Sequence, residues 1–117
     1  MPGTRHEEVL RSLYEAFNAR DVDTCLAAMT PDVDWAHGWE GGHVVGRDAV
    51  RDYWQRQWAA IDSSAEPTAV SERPDGTVEV AVHLVARDKE GSVLTDGEGC
   101  HVFEFRGDLV QRMTIEE

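Results

Sequence analysis

Val78-Glu79-Val80-Ala81-Val82-His83-Leu84-Val85-Ala86-Arg87 is the stretch that decides the fold. Side chains alternate across an extended chain, so Val78, Val80, Val82, Leu84 and Ala86 share one face, and Glu79, Ala81, His83, Val85 and Arg87 share the other. The first face is continuous and apolar and is expected to cover a core, with His83 outside. The same period of two runs outward from this strand. Thr68 to Glu72, Thr77 to Arg87, Ser92 to Arg106 and Leu109 to Ile115 are separated by Pro74-Asp75-Gly76, Lys89-Glu90-Gly91 and Gly107-Asp108, which have the composition of tight turns. An antiparallel meander is predicted. In its third strand His101, Phe103 and Phe105 lie on one face and Cys100, Val102, Glu104 and Arg106 on the other. The aromatic pair turns the His101 side inward and places a histidine in the core.

Before Thr68 the period is helical. Thr4-Arg5-His6-Glu7 fits a capping box, and Val9, Leu10, Leu13, Ala16 and Phe17 recur at three- and four-residue spacing as one apolar stripe. The pattern breaks at Asn18-Ala19-Arg20-Asp21. Val22, Cys25, Leu26 and Met29 then form a second short amphipathic helix, capped by Asp21 and ended by Pro31, which disfavours helical geometry at Thr30. Val33 to Ala36 and His43-Val44-Val45 read as short strands, and Val50, Trp54, Trp58 and Ile61 mark a third helix. Three helices followed by consecutive hairpins define an α+β fold with the helices on one face of a curved sheet. Between the second and third helices lies Asp32-Val33-Asp34-Trp35-Ala36-His37-Gly38-Trp39-Glu40-Gly41-Gly42-His43, a glycine-rich run with polar-tipped aromatics that suits the mouth of a pocket.

The 117 residues, 41% of them hydrophobic, are enough for a single domain spanning 1–117 with one core. A net charge of −12 without a basic stripe argues against nucleic acid and against anionic membrane surfaces. There is no long apolar run for a membrane span, and Met1 to Glu8 has no apolar signal core, so a cytoplasmic location is expected. Cys25 and Cys100 lack the spacing of a metal or redox motif and are expected as free thiols. His37, Glu40 and His43 match no standard zinc spacing, and no metal is expected.

Four segments carry a family resemblance: Leu13-Tyr14-Glu15-Ala16-Phe17-Asn18-Ala19-Arg20-Asp21, Met29-Thr30-Pro31-Asp32-Val33-Asp34-Trp35, Gly46-Arg47-Asp48-Ala49-Val50, and His101-Val102-Phe103-Glu104-Phe105. Through them the chain resembles the nuclear transport factor 2-like superfamily, and within it the SnoaL-like and ketosteroid isomerase-like branch. The resemblance implies a cone-shaped α+β barrel with an interior pocket. It also implies a homodimer through the outer sheet face, here the face of Ala81, His83, Val85, Cys100 and Val102, which sedimentation would test. It aligns His37 with the isomerase's general-base position and His101 with its oxyanion-hole carboxylic acid. The isomerase's catalytic tyrosine falls at Leu13, and Tyr14, one residue out of register, is expected to point elsewhere. The scaffold also carries unrelated chemistries, so function rests on the site.

A neutral imidazole can accept a proton at one nitrogen while donating from the other. His37 is therefore read as a base, near the mouth where its charge can be solvated, and His101 as acid or oxyanion donor, because burial disfavours its charged form. The ligand pocket is expected to be lined by Leu13, Phe17, Trp35, Trp39, Trp54, Trp58, Leu84, Phe103 and Met113. The leading expectation is a cofactor-independent isomerase, cyclase or dehydratase acting on a small apolar carbonyl compound. Two alternatives stand beside it: a non-catalytic binder of an apolar small molecule, and a dimerisation module with a vestigial pocket. An open cavity with facing polar groups favours the enzyme, and a side-chain-filled cone favours the module.

Overall fold

In the computed structural model of the chain, residues 2–36 and 42–116 are described, with side chains from His6 onward. The elements run α1 (Pro2–Asn18), α2 (Val22–Ala27), β1 (Met29–Ala36), β2 (His43–Val45), α3 (Arg47–Ala60), β3 (Asp62–Glu72), β4 (Val78–Arg87), β5 (Val93–Arg106) and β6 (Leu109–Glu116). The six strands form one sheet in the order β2-β1-β6-β5-β4-β3. Every neighbouring pair is antiparallel except β1 and β6, which are parallel. The helices pack on one face of this curved, unclosed sheet. Val78, Val80 and Val82 are fully buried on that face, as their alternation predicts, together with Phe103, Val110 and Met113 from β5 and β6.

Helix α1 ends where the sequence pattern breaks. The Asp21 N–H donates to Ala16 O at 2.8 Å and the Arg20 N–H to Phe17 O at 3.1 Å, the paired closing bonds of a Schellman turn. Arg20 takes the left-handed position at φ 63°, which usually falls to glycine. Asn18 ties the end of the helix to the edge strand: its Nδ2 donates to Ala65 O at 2.8 Å and its Oδ1 accepts from the Ala65 N–H at 2.9 Å. The Asp21 carboxylate caps α2 by accepting from the Thr24 N–H, as expected.

Three elements start two or more residues ahead of the sequence reading. Helix α1 begins at Pro2, ahead of Thr4, and Glu7 pairs with Arg11 one turn on at 2.8 Å. Strand β1 begins at Met29, because Thr30 and Pro31 lie in an irregular stretch between the Met29–Val110 and Asp34–Arg112 pairs, where a proline's missing donor is tolerated. Arg47 holds this stretch, donating through Nε to Met29 O at 3.0 Å. Strand β3 begins at Asp62, six residues before Thr68. Asp62-Ser63-Ser64-Ala65 has weak strand propensity, and only its pairing with Leu84 to Arg87 makes it extended.

Residues His37, Gly38, Trp39, Glu40 and Gly41 lie outside the described residues. Cys25 and Cys100 are both free. Among the described residues no helix is long and apolar enough to cross a membrane.

Candidate functional site

A cavity of about 280 Å³ lies between the helices and the concave face of the sheet. The sheet register explains its floor. Inward-facing positions form rows across β3, β4 and β5: Ser63, Ala86 and Thr95, then Ala65, Leu84 and Gly97, then Pro67, Val82 and Gly99. A fourth row joins Val80, His101 and Ile115 across β4, β5 and β6, and a fifth joins Val78, Phe103 and Met113. The last row is solid core, whereas in the middle rows Leu84 and Val82 fill the space over Gly99 and Gly97 is left open. A Cβ on Gly97 would meet nothing within 4 Å.

Helix α1 supplies one wall through Leu13, Tyr14 and Phe17, and α3 supplies another through Tyr53, Trp54 and Gln57. The aromatic rings brace one another at their edges: Trp35 meets Trp54 at 5.2 Å and 89°, and Phe17 meets Trp54 at 5.2 Å and 74°. Such pairs add about 0.5–1.5 kcal/mol each beyond the area they bury.

Of the residues expected in the pocket, Leu13, Phe17, Trp35, Trp54, Leu84, Met113 and His101 lie on the cavity wall. Phe103 and Trp58 stand one layer behind it. Phe103 is fully buried in the row beyond His101, touching Tyr14 and Trp35 edge-on. Trp58 backs Phe17 and Trp54 and carries the Arg20 guanidinium over its ring at 5.2 Å. His37 and Trp39 fall outside the described residues, so the expected pairing of His37 with His101 is a matter of sequence alone.

The structure brings a different partner to His101. The Tyr14 hydroxyl lies 2.6 Å from His101 Nδ1, with the two rings inclined by only 11°. Tyr14 was expected to point away, having been judged against a single register. It completes the α1 stripe, since Leu10, Leu13, Tyr14 and Phe17 stand at i, i+3, i+4 and i+7 on one face. That spacing was the missed signal. Tyr53, three residues after Val50 on α3, was missed for the same reason.

Both members of the pair are electrically neutral at pH 7. Burial pushes the His101 imidazole down to about 4, and burial holds the Tyr14 phenol well above its ordinary range. One proton is shared between Tyr14 Oη and His101 Nδ1. If the phenol donates it, His101 Nε2–H remains as a donor; if the imidazole donates it, the Tyr14 O–H remains. Either tautomer leaves one donor and at least one lone pair for a ligand. Among the described residues lining the cavity, none is Asp, Glu, Lys or Arg. The described part of the site is therefore largely apolar, without charge and equipped with a neutral proton donor.

The outer face has the opposite character. Arg73 bridges Glu79 and Glu116 at 2.8 Å each, and His83 Nε2 lies 2.6 Å from Asp96. Glu79, Cys100 and Glu116 present atoms within 4.8 Å of one another, and the Arg73 guanidinium already pairs with both carboxylates.

A mixed helix-and-sheet cone with an apolar internal cavity is the scaffold class defined by this fold and site. A family model for the SnoaL-like domain matches residues 10–113, and the chain belongs to that family. Solved structures share the fold, including polyketide cyclase-like proteins. A candidate polyketide cyclase from Xanthomonas campestris pv. campestris is 25% identical, with a TM-score of 0.81 over 98% of this chain and 91% of that one. TerC, crystallised with polyporic acid, is 21% identical, with a TM-score of 0.83 over 96% of this chain and 90% of that one. A hypothetical protein with a ketosteroid isomerase-like fold from Catenulispora acidiphila DSM 44928, in complex with trimethylamine, is 14% identical, with a TM-score of 0.77 over 94% and 85%. The last two likenesses concern the fold alone. No curated protein matches the chain.

Proposed function

We propose that this SnoaL-like protein binds a small, neutral, largely apolar carbonyl compound and moves a proton on it without a cofactor, in an isomerisation, cyclisation or dehydration. The observation that carries this reading is the 2.6 Å contact between Tyr14 Oη and His101 Nδ1 in a cavity whose described lining holds no charged side chain. In such surroundings a donor aimed at a carbonyl oxygen stabilises the charge that develops there far more than it would in water, by about 10²–10³ in rate per donor. The outward hydrogen of the pair supplies that donor. The proton is taken by His37, which follows the cavity-lining Ala36 in the sequence. A cavity of this volume also speaks against the reading as a dimerisation module with a vestigial pocket.

Hydrogen exchange tests it with β-tetralone, an apolar ketone with acidic α-hydrogens, dissolved in heavy water and followed by NMR. The protein is expected to accelerate deuterium uptake over buffer, and Tyr14→Phe, His101→Ala and His37→Ala are each expected to cut that acceleration at least tenfold. Binding of β-tetralone, read by tryptophan fluorescence, with no acceleration would replace the enzyme with the non-catalytic binder. Acceleration that survives all three substitutions would remove the assigned residues.

A further inference from the structure

The hydrogen bond between Tyr14 and His101 has a direction, and its length of 2.6 Å sets it. A hydroxyl donor stands about 2.5–3.0 Å from its acceptor, whereas an N–H donating to oxygen stands about 2.7–3.2 Å away. The contact falls inside the first range and below the second. The two rings are nearly parallel at 11°, and centroids 6.0 Å apart place them end to end, where an imidazole nitrogen carries its lone pair. Intrinsic acidity points the same way. A phenol gives up its proton at about 10, far more readily than a neutral imidazole N–H, and an imidazole nitrogen, which gains its proton at about 6.5, is a far better acceptor than a phenol oxygen.

The leftover groups agree as well. Tyr14 is only 5% exposed and makes no other hydrogen bond among the described residues. Were His101 the donor, the Tyr14 hydrogen would be left without an acceptor there, a costly state for a buried hydroxyl. With Tyr14 as donor, the one hydrogen left over sits on His101 Nε2. Four buried side-chain polar atoms lack a partner among the described residues, and Nε2 is not one of them, although it bonds to none of those residues. It therefore keeps accessible surface, and His101 is an inward-facing residue of the cavity wall.

We propose that His101 Nε2–H is the donor that meets the ligand, and that Tyr14 is a positioning residue whose hydroxyl, donating to Nδ1, holds the imidazole in that one tautomer. This rests on the reading of the cavity as a carbonyl site. It narrows the ligand's reacting group to a hydrogen-bond acceptor. It also makes His101 an oxyanion donor that keeps its proton: passing Nε2–H on while taking the Tyr14 proton at Nδ1 would leave a buried phenolate, which burial disfavours.

The tautomer is read without ligand, by NMR of protein labelled with ¹⁵N in its histidine rings, at neutral pH. The His101 signals are assigned by their loss in His101→Gln. In the wild type, Nδ1 is expected at the unprotonated extreme and Nε2 at the protonated one, and in Tyr14→Phe both are expected to move toward the average of a mixture. A wild type protonated at Nδ1 overturns the proposal, and a Tyr14→Phe spectrum as unmixed as that of the wild type overturns the role of Tyr14.

The second arm places the donor. Gln carries an amide N–H to about the position of Nε2, and Asn carries one only as far as Nδ1. Affinities for β-tetralone and for tetralin, which lacks the oxygen, are measured by tryptophan fluorescence, and their ratio cancels changes in the apolar part of the cavity. That ratio is expected to fall about tenfold in His101→Asn and to stay within about threefold of wild type in His101→Gln. Equal losses in the two variants would remove the donor from Nε2. If β-tetralone does not bind the wild type at all, the carbonyl reading of the site falls, while the ligand-free tautomer still decides the role of Tyr14.

Discussion

His83 and His101 sit on neighbouring strands of one sheet, on opposite faces, and they titrate in opposite directions. Its hydrogen bond to the Asp96 carboxylate raises the outward His83 above its ordinary value, helped by the nearby carboxylates of Glu98 and Glu66. Among the described residues the inward His101 has no carboxylate partner, and burial drives it down to about 4. One residue type thus becomes a solvated cation at mildly acidic pH on one face and a neutral hydrogen-bonding group on the other. The face presented by the strand, and not the side chain, sets the chemistry. The same division runs through the sheet: ion pairs around Arg73 outside, uncharged aromatic and aliphatic groups inside.

The strongest way to break this division is to truncate each side of β5. Phe103→Ala empties a fully buried site and is expected to cost about 3–5 kcal/mol in chemical denaturation, whereas Glu98→Ala on the exposed face stays within about 0.5 kcal/mol. Comparable losses would mean that the outer face is covered as well.

Acid sharpens the contrast next. His101 binds its proton near 6.5 in the unfolded chain and near 4 in the folded one, so across that interval protons favour unfolding. The associated stability is complete above pH 6.5, declines as pH falls toward 4, and amounts to about 3 kcal/mol in all. Urea denaturation of wild type against His101→Gln across this range measures it, and the variant is expected to lose less on acidification. An NMR titration of the imidazole signals should place His83 above the ordinary histidine value and His101 below it. Finding both on the same side would collapse the comparison.

The smallest effect belongs to the outer ion pairs. Arg73→Gln is expected to leave the melting temperature nearly unchanged at physiological salt, because these partly exposed charges are screened and largely solvated. A loss of several degrees would mark the Arg73 cluster as structural.

Much of the fold was legible because hydrophobic period is a local signal. Strand β4 reads as a strand from its own valines, and its turns announce themselves through Pro74-Asp75-Gly76 and Lys89-Glu90-Gly91. The inward turn of His101 was legible for the same reason, since its partners Phe103 and Phe105 share its parity. The start of β3 was not, because Ser63 and Ser64 prefer no particular structure until β4 pairs with them. Tyr14 was within reach of the helical period but was set aside by its register against a single relative.

The sequence by itself determined the class of the protein: three amphipathic helices, a meander, an acidic surface and a histidine facing the core. Those features depend on neighbours three or four positions apart in a helix, or two apart in a strand. Only the tertiary structure decided that Tyr14 meets His101 across 87 positions, and that the pair borders a cavity walled by α1 and α3. Contacts of that kind follow from how far the sheet curves and where the helices lie upon it. That curvature is set by the packing of the whole core, and no short stretch of residues carries it.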